Sequence, residues 1–131
     1  MRSTKDYPVD FHFSFYGATQ GTNPEWKEDD SSSYLFASSG KTIDWCYVFI
    51  DGSNSSNIGT FVNRTVNRST GQSGGSCTVS YPGEFQIWNR VKEDGNLGWA
   101  RLTGRAEGPT GALPGLWSAD SYGSYPIINN W

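Results

Sequence analysis

Two runs of the chain alternate with period two and carry aromatic side chains on one side. In 10–16, Phe11, Phe13 and Phe15 share one side, opposite His12, Ser14 and Tyr16. In 44–51, Trp45, Tyr47 and Phe49 lie opposite Cys46, Val48 and Ile50. Successive side chains of a strand point to opposite faces, so both patterns predict β-strands. The second run is apolar on both faces, so it predicts either a central strand covered on both sides or a strand that presents aromatic rings to a partner.

Further short strands are predicted along the chain and are separated by turn residues. They fall at 34–37, 60–68, 77–81, 85–92 and 97–105, with Asp94-Gly95 forming a hairpin turn. The segment 17–33 is polar and predicts a long loop, and 69–76 predicts a flexible Gly/Ser loop. Prolines in the tail, at 109, 114 and 126, predict edge strands and turns there.

These patterns predict an all-β protein with one domain over 1–131: an antiparallel β-sandwich of about seven to eight short strands. Composition agrees, because charged residues are only 18% while the chain has 16 Gly and 6 Trp. Cys46 and Cys77 are predicted to form one disulfide, with two buried free thiols as the alternative.

Charge and hydropathy exclude several classes of function. The net charge is −3, so a global nucleic-acid footprint is absent. No stretch approaches the roughly 20 apolar residues of a membrane span. The N-terminus leads directly into polar sequence without an apolar leader, so secretion, which the Ser/Asn/Gly/Tyr-rich composition favours, predicts that a leader is removed.

The sequence contains few of the residue patterns that catalytic or metal sites require. The single histidine, His12, lies mid-strand and is predicted to be structural or exposed, and no serine lies in a nucleophile elbow. No cofactor is predicted, although loop oxygens at 29–30 and 51–54 leave a structural calcium ion open. A small glycan hydrolase is a further alternative; its candidate carboxylates are Asp44, Asp51, Glu84 and Asp120.

Aromatic and basic side chains give the main functional signal. Tyr and Trp rings stack on the apolar faces of sugars, whereas Trp45, Trp99 and one of the tail tryptophans, Trp117 or Trp131, are expected to fill the core. Arginines of equal strand parity predict a basic stripe that meets an anionic polymer or, alternatively, solvent; its members are Arg64, Arg68, Arg90, Lys92, Arg101 and Arg105. The predicted ligand-binding residues are Trp88, Trp117, Trp26, Tyr47, Arg90 and Arg101.

The segment 115–121, Gly-Leu-Trp-Ser-Ala-Asp-Ser, resembles the ends of small exported all-β proteins of Gram-positive bacteria. Lactococcin-type bacteriocins and related families of unknown function are of this kind. The resemblance includes the aromatic C-terminus and the Tyr/Trp/Asn/Gly-rich composition, but Ala119 stands where such tails often have proline. It implies secretion and action outside the producing cell, and it transfers no site residue.

We therefore predict a secreted or cell-surface protein that binds without catalysis. The expected partner is a glycan or cell-wall polymer, recognised through exposed aromatic residues. The alternative is a secreted effector, either a bacteriocin-like toxin or an inhibitor, that acts on a protein target.

Overall fold

In the computed structural model, most of the described residues form β-strands. The described residues are 7–15, 17–26, 32–38, 46–54, 61–66, 74–80, 82–91, 98–106, 111–121, 125 and 127–129. Within them lie ten strands and no helix: β1 (Tyr7–Phe13), β2 (Thr19–Gly21), β3 (Glu25–Trp26), β4 (Ser33–Ala37), β5 (Cys46–Ser53), β6 (Val62–Asn63), β7 (Cys77–Val79), β8 (Gly83–Ile87), β9 (Trp99–Ala106) and β10 (Gly111–Ser118).

The strands form two antiparallel sheets that share one core. A four-stranded sheet has the order β1-β10-β4-β8, and a six-stranded sheet is built on the path β2-β9-β5-β6, with β3 paired to β9 and β7 to β5. Buried side chains from both sheets form one cluster. The sheets approach closely at Gly104 of β9, where a Cβ atom would lie 2.9 Å from the Phe11 ring of β1. The all-β, antiparallel class predicted from the sequence is therefore confirmed.

Alternation explains the core, as the sequence predicts. Phe11 and Phe13 of β1 are buried, and so are Cys46, Val48 and Ile50 of β5. Phe15 shares their parity but follows the end of β1, and 65% of its surface is exposed. Tyr47 and Phe49 are half-buried on the opposite side of β5. Strand β5 is thus central in its sheet, and its second face carries partly accessible aromatic rings.

Two predictions about loops and edges are wrong. Strands β2 and β3 form within 17–33, because both pair with the long strand β9. In the tail, β10 is an interior strand despite Pro114. The carbonyl of Pro114 accepts a hydrogen bond from Ser38 N, just beyond the end of β4. A residue's N and C=O point to the same side of a strand, so the missing N–H of Pro114 falls where β4 has ended.

The predicted disulfide is also wrong, because Cys46 and Cys77 are free and buried. Strands β5 and β7 pair so that Cys46 is opposite Val79 and Cys77 is opposite Val48. The cysteines are diagonal neighbours, whose Cα atoms lie about 7–8 Å apart in a regular ladder, beyond the usual reach of a disulfide. The Cys46 thiol instead donates to the carbonyl of Tyr47 at 3.3 Å. Most of the predicted 69–76 loop lies outside the described residues.

Because the thiol of Cys77 is buried, the free energy of unfolding changes with pH in the alkaline range. Burial raises its pKa to about 12. The unfolded chain therefore loses this proton at lower pH than the native protein, so the stabilisation is complete below about pH 9 and declines above it, at up to about 1.4 kcal/mol per pH unit. We expect urea unfolding of Cys77→Ala to lose less stability than wild type between pH 8 and 10.5. Parallel losses in both proteins would contradict this assignment.

Candidate functional site

The outer surface of the six-stranded sheet carries a set of aromatic and polar side chains, called the aromatic face below. The burial of alternate residues in β5 and β9 shows which side chains lie on this surface. The even-numbered residues Val48, Ile50, Ala100 and Leu102 are buried in the core. The odd-numbered residues point the other way. The aromatic face consists of Tyr47, Phe49 and Asp51 of β5, Trp99, Arg101, Thr103 and Arg105 of β9, Trp26 of β3 and Asn63 of β6.

A polar row crosses the middle of the aromatic face. Asp51 is opposite Arg101 on one neighbouring strand and opposite Asn63 on the other. The hydroxyl of Thr103 donates to Asp51 Oδ2 at 2.8 Å. Burial raises the pKa of Asp51, although the Thr103 hydrogen bond and the charge of Arg101 act in the opposite direction. The row therefore places a desolvated carboxylate within electrostatic range of the Arg101 guanidinium, and hydrogen bonds to such a group are stronger than they are in water.

Arg101 is held in place by the neighbouring strand β2. Its Nε–H donates to the carbonyl of Thr22 at 3.1 Å. Its guanidinium lies where a side chain at Gly21 would begin. The absence of a Cβ at Gly21 thus allows the guanidinium to lie across the backbone of β2. This contact fixes the orientation of Arg101 without help from a ligand.

Aromatic side chains flank the polar row on both sides. On one side Phe49 is opposite Thr103, and Tyr47 is opposite Arg105. The Arg105 guanidinium carbon lies 5.0 Å from the centroid of the Tyr47 ring, a cation–π distance. On the other side the strand register places Trp99 opposite Trp26. A polar centre between aromatic rings results.

The Trp26–Trp99 pair places an exposed aromatic ring on the aromatic face. The two rings meet edge to face, with centroids 5.4 Å apart and planes at 84°. The Trp26 ring also covers Gly98, whose φ is +79° and whose missing Cβ would lie 2.8 Å from the ring. Trp26 is nevertheless 47% exposed. A rigid indole with an accessible surface is thereby available for stacking.

The structure brings together three of the six predicted ligand-binding residues. Trp26, Tyr47 and Arg101 lie on the aromatic face. Trp117 does not, because it is fully buried in the interior strand β10. The prediction that Trp117 contacts a ligand is therefore wrong: an interior strand directs alternate side chains into the core.

Trp88 and Arg90 lie elsewhere, just beyond the end of β8. Trp88 is 38% exposed. Its backbone N–H donates to the side chain of Asn129 at 2.8 Å, and the N–H of Arg90 donates to the carbonyl of Arg64 at 2.8 Å. These contacts tie Trp88 to Asn129 and Arg90 to Arg64, and neither Trp88 nor Arg90 lies on a strand that forms the aromatic face.

The basic stripe is reproduced only in part. Arg101 and Arg105 share the outer side of β9, as their parity predicts. Arg64 and Arg90 meet through their backbones. Residues 68 and 92 lie outside the described residues.

The candidate carboxylates for glycan hydrolysis that the structure describes do not converge. Asp51 lies on the aromatic face, Glu84 is exposed on β8 of the other sheet, and Asp120 is completely buried. Asp44 lies outside the described residues, as do the acidic residues 29–30 considered for calcium. Within the described ranges, no three His, Cys, Asp or Glu side chains cluster as metal ligands would. No helix in the same ranges has the length and apolar character to cross a membrane.

Sequence reasoning missed Trp99 and Asn63 as parts of a site. Trp99 was expected in the core, yet it is only partly buried and supports Trp26. The available signal was its parity with Arg101 and Arg105, which places all three on one side of a strand. Asn63 carried no such signal, because its position opposite Asp51 depends on strand register.

Comparison with known proteins identifies a family but no activity. A family model described as "Protein of unknown function (DUF2712)" matches residues 1–121, so the chain belongs to this family. No curated protein and no solved structure matches the chain.

Proposed function

We propose that this member of the DUF2712 family is an exported binding protein that recognises a glycan or cell-surface polymer without catalysis. The observation that carries the proposal is the aromatic face itself. It combines an accessible indole, three further rings and a central Asp51–Arg101 row on one rigid sheet. Rings contact the apolar faces of sugars, while carboxylate and guanidinium groups hydrogen-bond to hydroxyls.

The electrostatics of the aromatic face favour a hydroxyl-rich ligand over a strongly charged one. Arg101 and Arg105 face Asp51 and the Tyr47 ring, so both cations have neighbours that partly offset their charge. Asp51 can accept hydrogen bonds and Arg101 can donate them. A ligand that offers both donors and acceptors, as a sugar hydroxyl does, satisfies such a row.

A binding screen against glycans and cell-wall polymers, measured by intrinsic Trp fluorescence, tests the proposal. We expect Trp26→Ala to weaken binding by about fivefold, because a stacked ring contributes roughly 1 kcal/mol beyond its buried area. The matched control is Trp88→Ala, since Trp88 is similarly exposed but lies away from the aromatic face. Equal losses in both variants, or loss only in Trp88→Ala, would contradict the proposed site.

A secreted effector that acts on a protein target is the alternative. Trp, Tyr and Arg side chains are also typical anchors of protein interfaces. This alternative predicts that no polymer binds saturably. It predicts instead that the protein inhibits the growth of bacterial strains, or captures one defined protein, in a way that depends on Trp26.

A further inference from the structure

A polar groove lies beside the aromatic face, where the edges of the two sheets meet. Strand β1 is the edge of the four-stranded sheet and β2 is the edge of the six-stranded sheet. Between them opens a groove of about 450 Å³, a size typical of ligand sites. Its lining residues are Pro8, Asp10, Phe11, Gln20, Gly21, Thr22 and Asn23.

The groove is already ordered by its own hydrogen bonds. The backbone N–H of His12 donates to Gln20 Oε1 at 2.8 Å, which ties β1 to β2. The Thr22 hydroxyl accepts from Leu102 N at 3.1 Å, which ties the wall of the groove to β9. His12 Nε2 lies 2.8 Å from Asp10 Oδ1 and so orients this carboxylate. The walls are therefore held together without a ligand, which lowers the entropic cost of binding.

The groups that line the groove match a hydroxyl-bearing ligand. Asp10 supplies acceptor oxygens, while the amides of Gln20 and Asn23 supply both donors and acceptors. Asp10 is the only charged residue in the lining that the structure describes. The His12 ring contacts Oδ1 of the Asp10 carboxylate, which leaves Oδ2 to pair with a ligand amine.

Arg101 connects the groove to the aromatic face. Its guanidinium lies over Gly21 and its Nε–H reaches the Thr22 carbonyl, and both residues also line the groove. The polar row of the aromatic face therefore ends at the wall of the groove. A chain of sugar units that follows this row leads to the groove.

We propose that the groove between β1 and β2 is a second subsite that binds an amine-bearing sugar unit of the same polymer. This inference rests on the proposed function, because it assigns the ligand of the aromatic face a chemical class. Asp10 pairs with the amine, and Gln20 and Asn23 bond to neighbouring hydroxyls. An oligosaccharide with free amines is then preferred over its neutral counterpart.

The test compares two ladders of oligosaccharides, two to six units long, by calorimetry. In one ladder a single glucosamine unit ends a chain of β-1,4-linked glucose, and the other ladder is β-1,4-linked glucose throughout, at 0.15 M salt and a pH at which the amine is protonated. We expect wild type to prefer the amine-bearing hexamer by about fivefold, the value of one modest charge pair. Asp10→Asn is expected to abolish this preference, and Asn23→Ala to weaken both hexamers. Glu84→Gln removes an equal charge from an exposed site on β8, at the opposite edge of the four-stranded sheet, and is the matched control.

Each outcome is decisive. A preference lost in Asp10→Asn but kept in Glu84→Gln supports the groove. A second outcome is that both ladders still bind Asp10→Asn and Asn23→Ala but no longer bind Trp26→Ala. This result overturns the groove and leaves the proposed function intact. Binding that depends on Asp10 and survives Trp26→Ala supports the groove and overturns the aromatic face. Absence of binding to either ladder overturns the amine-bearing ligand, whereas other hits in the polymer screen then still support the proposed function.

Discussion

Trp117→Ala is expected to lower the free energy of unfolding by about 3–5 kcal/mol, the range found for large aromatic residues removed from a core. Trp117 is fully buried in β10, between β1 and β4. Removing it leaves a cavity between its two neighbours in the strand register, Tyr7 on one side and Leu35 on the other. Urea unfolding followed by circular dichroism measures the loss.

Trp117→Phe is the matched control for this prediction. The buried Nε1 of Trp117 has no hydrogen-bond partner among the described residues. Phenylalanine removes that unsatisfied N–H while it keeps a ring, so we expect a clearly smaller loss than for alanine. A Trp117→Ala protein with wild-type stability and no ligand binding would show instead that Trp117 belongs to a binding site.

Arg101→Met is expected to weaken ligand binding by about 10- to 100-fold, because hydrogen bonds to charged groups contribute about 1.5–3 kcal/mol. Methionine keeps an apolar stem over Gly21 but removes every donor of the guanidinium. The charge that partly stabilises the Asp51 carboxylate is lost as well, so the pKa of Asp51 rises further. Fluorescence titration with the polymer identified in the screen measures the effect.

Gly21→Ala tests the same contact without removing the charge. A Cβ at this position occupies the place of the Arg101 guanidinium, so the arginine must move. We expect weaker binding again, although Arg101 is still present. Unchanged affinity in both variants would show that the polar row does not contact the ligand.

Much of the fold follows from short-range patterns. The alternation in 10–16 and 44–51 identifies β1 and β5 and shows which residues of each share a side. The same rule places Phe85, Ile87 and Val91 inside and Trp88 outside, as the structure has them. Parity is a local property of an extended backbone, so it can be read from the sequence alone.

The errors concern pairing, which is not local. Pro114 predicts an edge strand, yet it lies in an interior strand. This position is tolerated because the neighbouring strand β4 ends at Ala37, so the missing N–H of Pro114 has no strand partner to lose. The disulfide between Cys46 and Cys77 was favoured by their number, whereas a register offset by two residues separates them. The strands within 17–33 form because β9 is long enough to pair with them.

The candidate site was predictable to the same extent. The shared parity of Tyr47 with Phe49, and of Arg101 with Arg105, puts each pair on one side of a strand. That these strands are neighbours, and that Trp26 meets Trp99, depends on tertiary pairing. Trp117 was misassigned because its strand was taken for part of the exposed tail.

The most direct test of the account is ¹⁹F NMR of protein labelled with 5-fluorotryptophan. The chain has 6 Trp residues, so single Trp→Phe variants can assign each resonance. On titration with the polymer identified in the screen, we predict that the Trp26 and Trp99 signals shift together and saturably. The signals of the buried Trp117 and of Trp88, which follows β8 in the other sheet, are expected to stay unchanged. Shifts at Trp88 with constant Trp26 and Trp99 signals would contradict binding at the aromatic face.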